Sequence, residues 1–219
     1  MAVFSLKKIE KKKINNIHHY NLRYTKSQSF TMSINVLCLH GCNQTEEAFK
    51  GYLKGLTQLA KKYDINFHFC EAKYDHPDLG KTWYNKPLFV KDIGTIEYDE
   101  DLVGYTLENI NQLIGKLDIS CLLGFSQGSN VVDTYLGYTN DTRIKCAVML
   151  SGYYLVDSNR KVSDVPILNV ISKDDDVVKY ELAPKDYKSI EVLDHNKGHK
   201  IPTSKPQLRE ILAFIRKHH

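Results

Sequence analysis

Residues 122–132 read Leu-Leu-Gly-Phe-Ser-Gln-Gly-Ser-Asn-Val-Val, so a serine and a glutamine held between two glycines interrupt an apolar run. Strand-like residues Ile119–Leu123 lead in, and Val131, Val132, Tyr135 and Leu136 follow at helical spacing. The pattern predicts a strand, a very tight turn and a helix, with Ser126 at the apex. Backbone strain there exposes the hydroxyl, while glycines on either side admit close neighbours. Ser126 is therefore a candidate nucleophile. A serine hydroxyl is weakly nucleophilic at neutral pH, so it needs a base within hydrogen-bond reach and a third group to orient that base.

Both partners are expected later in the chain, in the order Ser, Asp, His. The segment Ser172-Lys173-Asp174-Asp175-Asp176-Val177-Val178 follows the apolar run Pro166–Ile171 and offers three acids at the carboxyl end of a strand. A solvated turn is the usual meaning of such a cluster, so at most one of the three matters. The loop Asp194-His195-Asn196-Lys197-Gly198-His199-Lys200 offers two histidines. Gly198 permits a tight approach to the sheet edge, which favours His199 over His195. Acyl transfer also needs two preorganised donors for the oxyanion. One is the backbone N–H of Gln127, just after the serine. The other is the N–H of Cys42 in Leu39-His40-Gly41-Cys42-Asn43-Gln44, where Gly41 allows an unusual backbone. His40 in that loop reads as a structural hydrogen-bonding residue.

The elements that must position these groups alternate strand-like runs with amphipathic helical stretches, which predicts a parallel sheet of about six strands covered by helices on both faces. Strands are expected at Ile34–Leu39, around Ile65, Phe67 and Phe69, and at Ile119–Leu123, Ile144–Leu150, Pro166–Ile171 and Ser189–Leu193. A helix from Phe49 to Tyr63, capped by Thr45 or Asn43, a second over Leu102–Leu117 and a closing one through Leu208 and Ile215 complete the pattern. Residues 73–99 fit no element. A long aromatic loop after a parallel strand covers the carboxyl edge where ligands bind. Trp83, Tyr84 and Phe89 are thus expected to line an apolar acyl pocket suited to medium or long chains, with a place in the core as the alternative for Trp83.

The chain of 219 residues is 42% hydrophobic and suits one globular domain. Its five cysteines show no CxxC or metal-ligand spacing and read as small buried residues of a reducing compartment. No apolar run is long enough for a membrane span, and the N-terminus lacks the apolar core of a secretory signal, so a cytoplasmic protein is expected. Residues 1–31 carry seven basic side chains against one acid, a balance of +6 within an overall +4, which leaves the remaining chain at −2. A near-neutral body with a basic tail is not built to hold nucleic acid. Residues 1–31 are expected to be a disordered extension, with an organellar targeting peptide as the alternative, and the domain proper is expected at 32–219.

Five spaced motifs then resemble one known group, the FSH family of serine hydrolases within the α/β-hydrolase superfamily. They are Val36–Gly41 with Asn43-Gln44, Lys81-Thr82-Trp83-Tyr84, Gly124-Phe125-Ser126-Gln127-Gly128, Leu150-Ser151-Gly152-Tyr153, and Gly198-His199 with Pro202. The similarity runs from about Ile34 to Phe214. It implies an α/β-hydrolase fold without a large lid, and a carboxylesterase acting on small-molecule acyl esters with no metal or cofactor. The family's acid-loop pattern, Asp followed two positions later by Val, places the aspartate at Asp175. Two positions depart from that pattern: Lys179 stands where proline is common, and Lys197 where a second glycine usually precedes the histidine. A Cβ at Lys197 would resist positive φ and could displace His199. The rival readings are an acyl thioesterase and a hydrolase-like ligand-binding protein that no longer turns over. No feature of the sequence indicates an oligomeric state.

Overall fold

The computed structural model describes residues 33–78, 80–84, 100–139, 141–153, 161–185 and 187–219, with only the backbone of 100–103. The basic segment 1–31 and Phe89 lie outside the described residues. Six strands form one parallel sheet: β1 (Ile34–Leu39), β2 (Ile65–Cys70), β5 (Cys121–Phe125), β6 (Cys146–Leu150), β7 (Ile167–Ser172) and β8 (Ile190–His195), in the order β2-β1-β5-β6-β7-β8. This is the expected fold class, and every expected strand forms, several of them shifted by one or two residues toward the C-terminus.

The strands read as unbroken apolar runs because both sheet faces are covered. Along β1, Val36 and Cys38 enter one core with Phe49, Leu56, Ile211 and Ile215, while Leu37 and Leu39 enter the other with Ile110, Val131 and Tyr135. The first core lies under α1 (Glu46–Tyr52), α2 (Lys54–Ala60) and α5 (Lys205–Lys217), and the second under α3 (Glu100–Lys116) and α4 (Gln127–Tyr138). The helix expected from Phe49 to Tyr63 is divided at Leu53, whose φ of −88° and ψ of 3° leave the helical region between α1 and α2. Gly51 and Gly55 flank the break, and glycine is the weakest ordinary helix former. Thr45 caps α1, its side chain accepting from Ala48 N–H at 3.2 Å.

Within residues 73–99, expected to hold no regular element, Tyr74–His76 (β3) pairs antiparallel with Gly80–Thr82 (β4). Strands of three residues are too short for a period-2 pattern to register.

The tight turn after β5 depends on its glycines. A Cβ on Gly124 would stand 2.4 Å from Gly128 O, and one on Gly128 would stand 2.1 Å from Leu39 O. Both obstacles are backbone and cannot rotate away, so α4 seats directly against the end of β1 only because these positions lack side chains. Gly128→Ala is expected to destabilise the fold by at least about 2 kcal/mol, read as a lowered urea midpoint; an unchanged midpoint would show that α4 can withdraw from β1 at no cost.

Candidate active site

Ser126 has φ 50° and ψ −116°, outside the basins that L-residues favour. Its N–H donates to Leu150 O at 2.9 Å, and its carbonyl accepts from Asn130 N–H at 3.1 Å, so the turn is bonded into both β6 and α4. Ser129 tightens it further, its hydroxyl lying 2.6 Å from Gly124 O and 3.0 Å from Leu150 O. Although Ser126 occupies the N-cap position of α4, its side chain does not cap the helix. Its Oγ lies 3.0 Å from His199 Nε2 instead.

The ring of His199 is held on its other side. Its Nδ1 lies 2.8 Å from Asp175 Oδ2 and 3.1 Å from Oδ1. An ionised carboxylate only accepts, so Nδ1 carries the proton and a neutral ring turns the Nε2 lone pair to the serine. The Asp175 side chain is 3% exposed, and its Oδ1 also accepts from Val177 N–H at 2.9 Å and Val178 N–H at 2.8 Å. The Asp-x-Val-Val sequence thus folds back on its own carboxylate and fixes the rotamer that meets His199. Neither Asp174 nor Asp176 contacts a histidine among the described residues. Phe125 packs against the ring of His199, with centroids 5.1 Å apart.

His195 ends β8 inside the sheet edge, 8% exposed, with Nδ1 accepting from Lys197 N–H at 3.3 Å. Burial lowers its pKa from 6.5. No contact with Ser126 is made from there.

The two departures from the family pattern are absorbed by the backbone. Lys179 has φ −62°, the value a proline ring would impose. The non-glycine residues with positive φ among those described are Asn43, Asp64, Asp118, Ser126 and Ser151, so Lys197 is under no such strain. The positive φ of 61° falls at Gly198.

Ser172, at the end of β7, carries no signal in the sequence beyond a polar residue closing an apolar run. It is 1% exposed, and its Oγ accepts from Asp174 N–H and from Gly198 N–H, both at 3.3 Å. One hydroxyl thereby ties the acid loop to the histidine loop.

In the loop after β1, Gly41 N–H donates to Gln44 Oε1 at 3.0 Å, Asn43 N–H to Lys81 O at 2.9 Å and Gln44 N–H to Gly41 O at 3.3 Å. Cys42 N–H meets no acceptor among the described residues. The N–H of Gln127 belongs to the first turn of α4, where helical geometry supplies none. Burial raises the pKa of the Cys42 thiol from 9.0. His40 is fully buried, its Nε2 accepting from Ala72 N–H at 3.0 Å and its Nδ1 donating to Gly41 O at 2.8 Å. An amide can only donate, so this ring is neutral, and it ties the loop to the chain beyond β2.

Trp83 and Tyr84, expected to line the acyl pocket, are each 2% exposed and belong to the second core, the alternative expected for Trp83. Their polar atoms are engaged inward, the Tyr84 hydroxyl with Asn130 Oδ1 at 2.6 Å and the Trp83 indole N–H with His40 O at 2.7 Å. The β3–β4 hairpin just before them is bonded to the loop after β1, Asn43 N–H donating to Lys81 O at 2.9 Å. Among the described residues, no group of three or more His, Cys, Asp or Glu side chains could hold a metal ion, and no helix is long and apolar enough to cross a membrane.

Ser126, His199 and Asp175 are thus bonded in series at 3.0 and 2.8 Å. The family model described as "Serine hydrolase (FSH1)" matches residues 30–211. The chain belongs to this serine hydrolase family. Its similarity to "Esterase C25G4.2" of Caenorhabditis elegans is 23% identity, covering 84% of this chain and 93% of that protein. "Esterase CG5412" of Drosophila melanogaster is 26% identical, with 84% and 74% covered. Among solved structures, Arabidopsis thaliana SOBER1 superposes with a TM-score of 0.70 at 18% identity, covering 85% of this chain and 99% of that one. Esterase PE8 gives 0.64 at 18% identity, with 85% and 93% covered. These likenesses establish the α/β-hydrolase fold.

Burial lowers the pKa of His40 from 6.5, so between its folded pKa and 6.5 the unfolded chain binds more protons. His40 therefore contributes stability that is present above 6.5 and lost as pH falls below it, and His195 acts in the same direction. The urea midpoint is expected to drop between about pH 7.5 and about pH 5.5. In His40→Gln the drop should be shallower; an equal drop would assign the acid sensitivity to other groups.

Proposed function

We propose that this serine hydrolase is a carboxylic ester hydrolase that works through Ser126, His199 and Asp175. Ser126 Oγ attacks the acyl carbonyl as His199 Nε2 takes its proton, and the protonated ring returns it to the leaving alkoxide. Asp175 holds the imidazole in the competent tautomer and stabilises its charged form. The N–H groups of Cys42 and Gln127 receive the oxyanion. Water, deprotonated by His199, then attacks the acyl-enzyme, and its collapse releases the acid and Ser126. No metal or organic cofactor takes part in this cycle.

The observation that carries the reading is the Ser126–His199–Asp175 series at 3.0 and 2.8 Å. A ligand-binding protein without turnover has no need of a base at hydrogen-bond distance from a strained serine, so the same contact weighs against that rival. A thioester would pass through the same acyl-enzyme, and the ester reading rests on the names carried by the relatives.

The purified protein is expected to react with a fluorophosphonate, and Ser126→Ala to abolish the labelling. His199→Ala and Asp175→Asn should each lower ester turnover by at least about a thousandfold. Labelling that survives Ser126→Ala, or an intact protein that does not label, would overturn the assignment. Esters and thioesters of graded acyl length would then be compared by kcat/KM.

We also assign the working enzyme to residues 32–219 and to the cytoplasm, on the composition of residues 1–31 and the use of cysteine. Native protein recovered from the cytosolic fraction is the expected outcome. An organelle-bound form whose N-terminus begins near Ile34 would replace this with a cleaved targeting segment.

A further inference from the structure

The two proposed oxyanion donors belong to different elements. Cys42 lies in the loop after β1, and Gln127 opens α4 after β5. Their separation and mutual angle decide whether both N–H groups reach one oxygen, and no covalent link nearby sets either.

Trp83 bonds to both sides. Its indole N–H donates to His40 O at 2.7 Å, two residues before Cys42, while its backbone N–H donates to Gln127 Oε1 at 3.0 Å. The bracket is itself anchored, because Thr106 Oγ on α3 donates to Trp83 O at 2.8 Å and the indole packs 5.0 Å from the ring of His40. His40, Trp83, Gln127 and Thr106 are between 0% and 4% exposed. Hydrogen bonds in so dry a setting are stronger than at a surface, and an unpaired member would be costly. The seat of Gly128 on the Leu39 backbone brings the two elements into contact; the bonds of Trp83 fix how they are turned.

On the reading that Cys42 and Gln127 form the oxyanion hole, we infer that Trp83 is a positioning residue for that hole, setting the register of its two donors through His40 O and the Gln127 side chain. Trp83 touches no reacting atom in this arrangement. Its effect falls on the transition state, where the oxyanion forms, more than on substrate binding.

The test is Trp83→Phe, which keeps an aromatic ring in the core and removes the indole N–H. Active sites are counted by fluorophosphonate labelling to end point, and turnover of a p-nitrophenyl acyl ester is expressed per labelled site. Affinity is measured for a trifluoromethyl ketone, whose tetrahedral adduct places an oxyanion in the hole. Per-site kcat is expected to fall about tenfold to a hundredfold with KM within about twofold, and the ketone's affinity to fall by the same factor as kcat/KM. A purely structural tryptophan would lower the number of labelled sites and leave per-site kcat and ketone affinity unchanged, which would overturn the inference. Should Trp83→Phe fail to fold, Gln127→Met removes the other end of the bracket and carries the same measurements with the same expectations. A wild-type protein that does not label would remove the hydrolase reading and this inference together. Normal wild-type labelling with unaltered variants would remove this inference alone.

Discussion

Ser126 holds a backbone conformation, φ 50° and ψ −116°, that a residue with a Cβ adopts only under compulsion. The rest of the structure supplies that compulsion. The N–H of Ser126 is bonded to β6 and its carbonyl to α4, while Gly124 and Gly128 allow β5, α4 and β1 to close on one another at distances no side chain would tolerate. A relaxed turn would move the hydroxyl from the line of His199 and would also carry Gln127 N–H away from the loop after β1. The strain at one residue therefore sets both the proposed nucleophile and half of the proposed oxyanion hole.

Around this turn the parallel sheet brings together segments that are far apart in the chain. Every strand of a parallel sheet ends on the same edge, so the loops after β1, β5, β7 and β8 meet there. Each loop is then fixed by bonds that leave the reacting groups free. Ser172 Oγ joins the acid and histidine loops, the Val177 and Val178 amides orient Asp175, and Lys81 O and Gln44 Oε1 take the amides on either side of Cys42. For the proposed mechanism this is the prepared arrangement that electrostatic stabilisation of a transient charge requires.

The departures from the family pattern show how narrow a sequence constraint can be. Lys179, where the resemblance raises the expectation of proline, has a φ that proline would also have. Lys197, where the resemblance raises the expectation of glycine, has no positive φ, and in this loop the left-handed conformation falls at Gly198. A Cβ at Gly198 would sit at positive φ and 3.3 Å from Asp174 O, so there the requirement for glycine is real.

Patterns of short range determined the strands, most of the helices, the tight turn at Ser126 and the capping of α1, because apolar periodicity and glycine spacing act within a few residues. The sequence by itself favoured His199 over His195 through Gly198 but left three neighbouring acids on nearly equal terms, and family resemblance was needed to separate the acids. Only the tertiary structure decided which of them meet: the register of β7 beside β8 sets Asp175 against His199 and turns His195 into the sheet edge. It likewise placed Trp83 and Tyr84 in the second core, and it gave Ser172 a partner in each of two loops. The long-range contacts among those outcomes join residues 24 to 46 apart in the chain, and no local pattern carries that information.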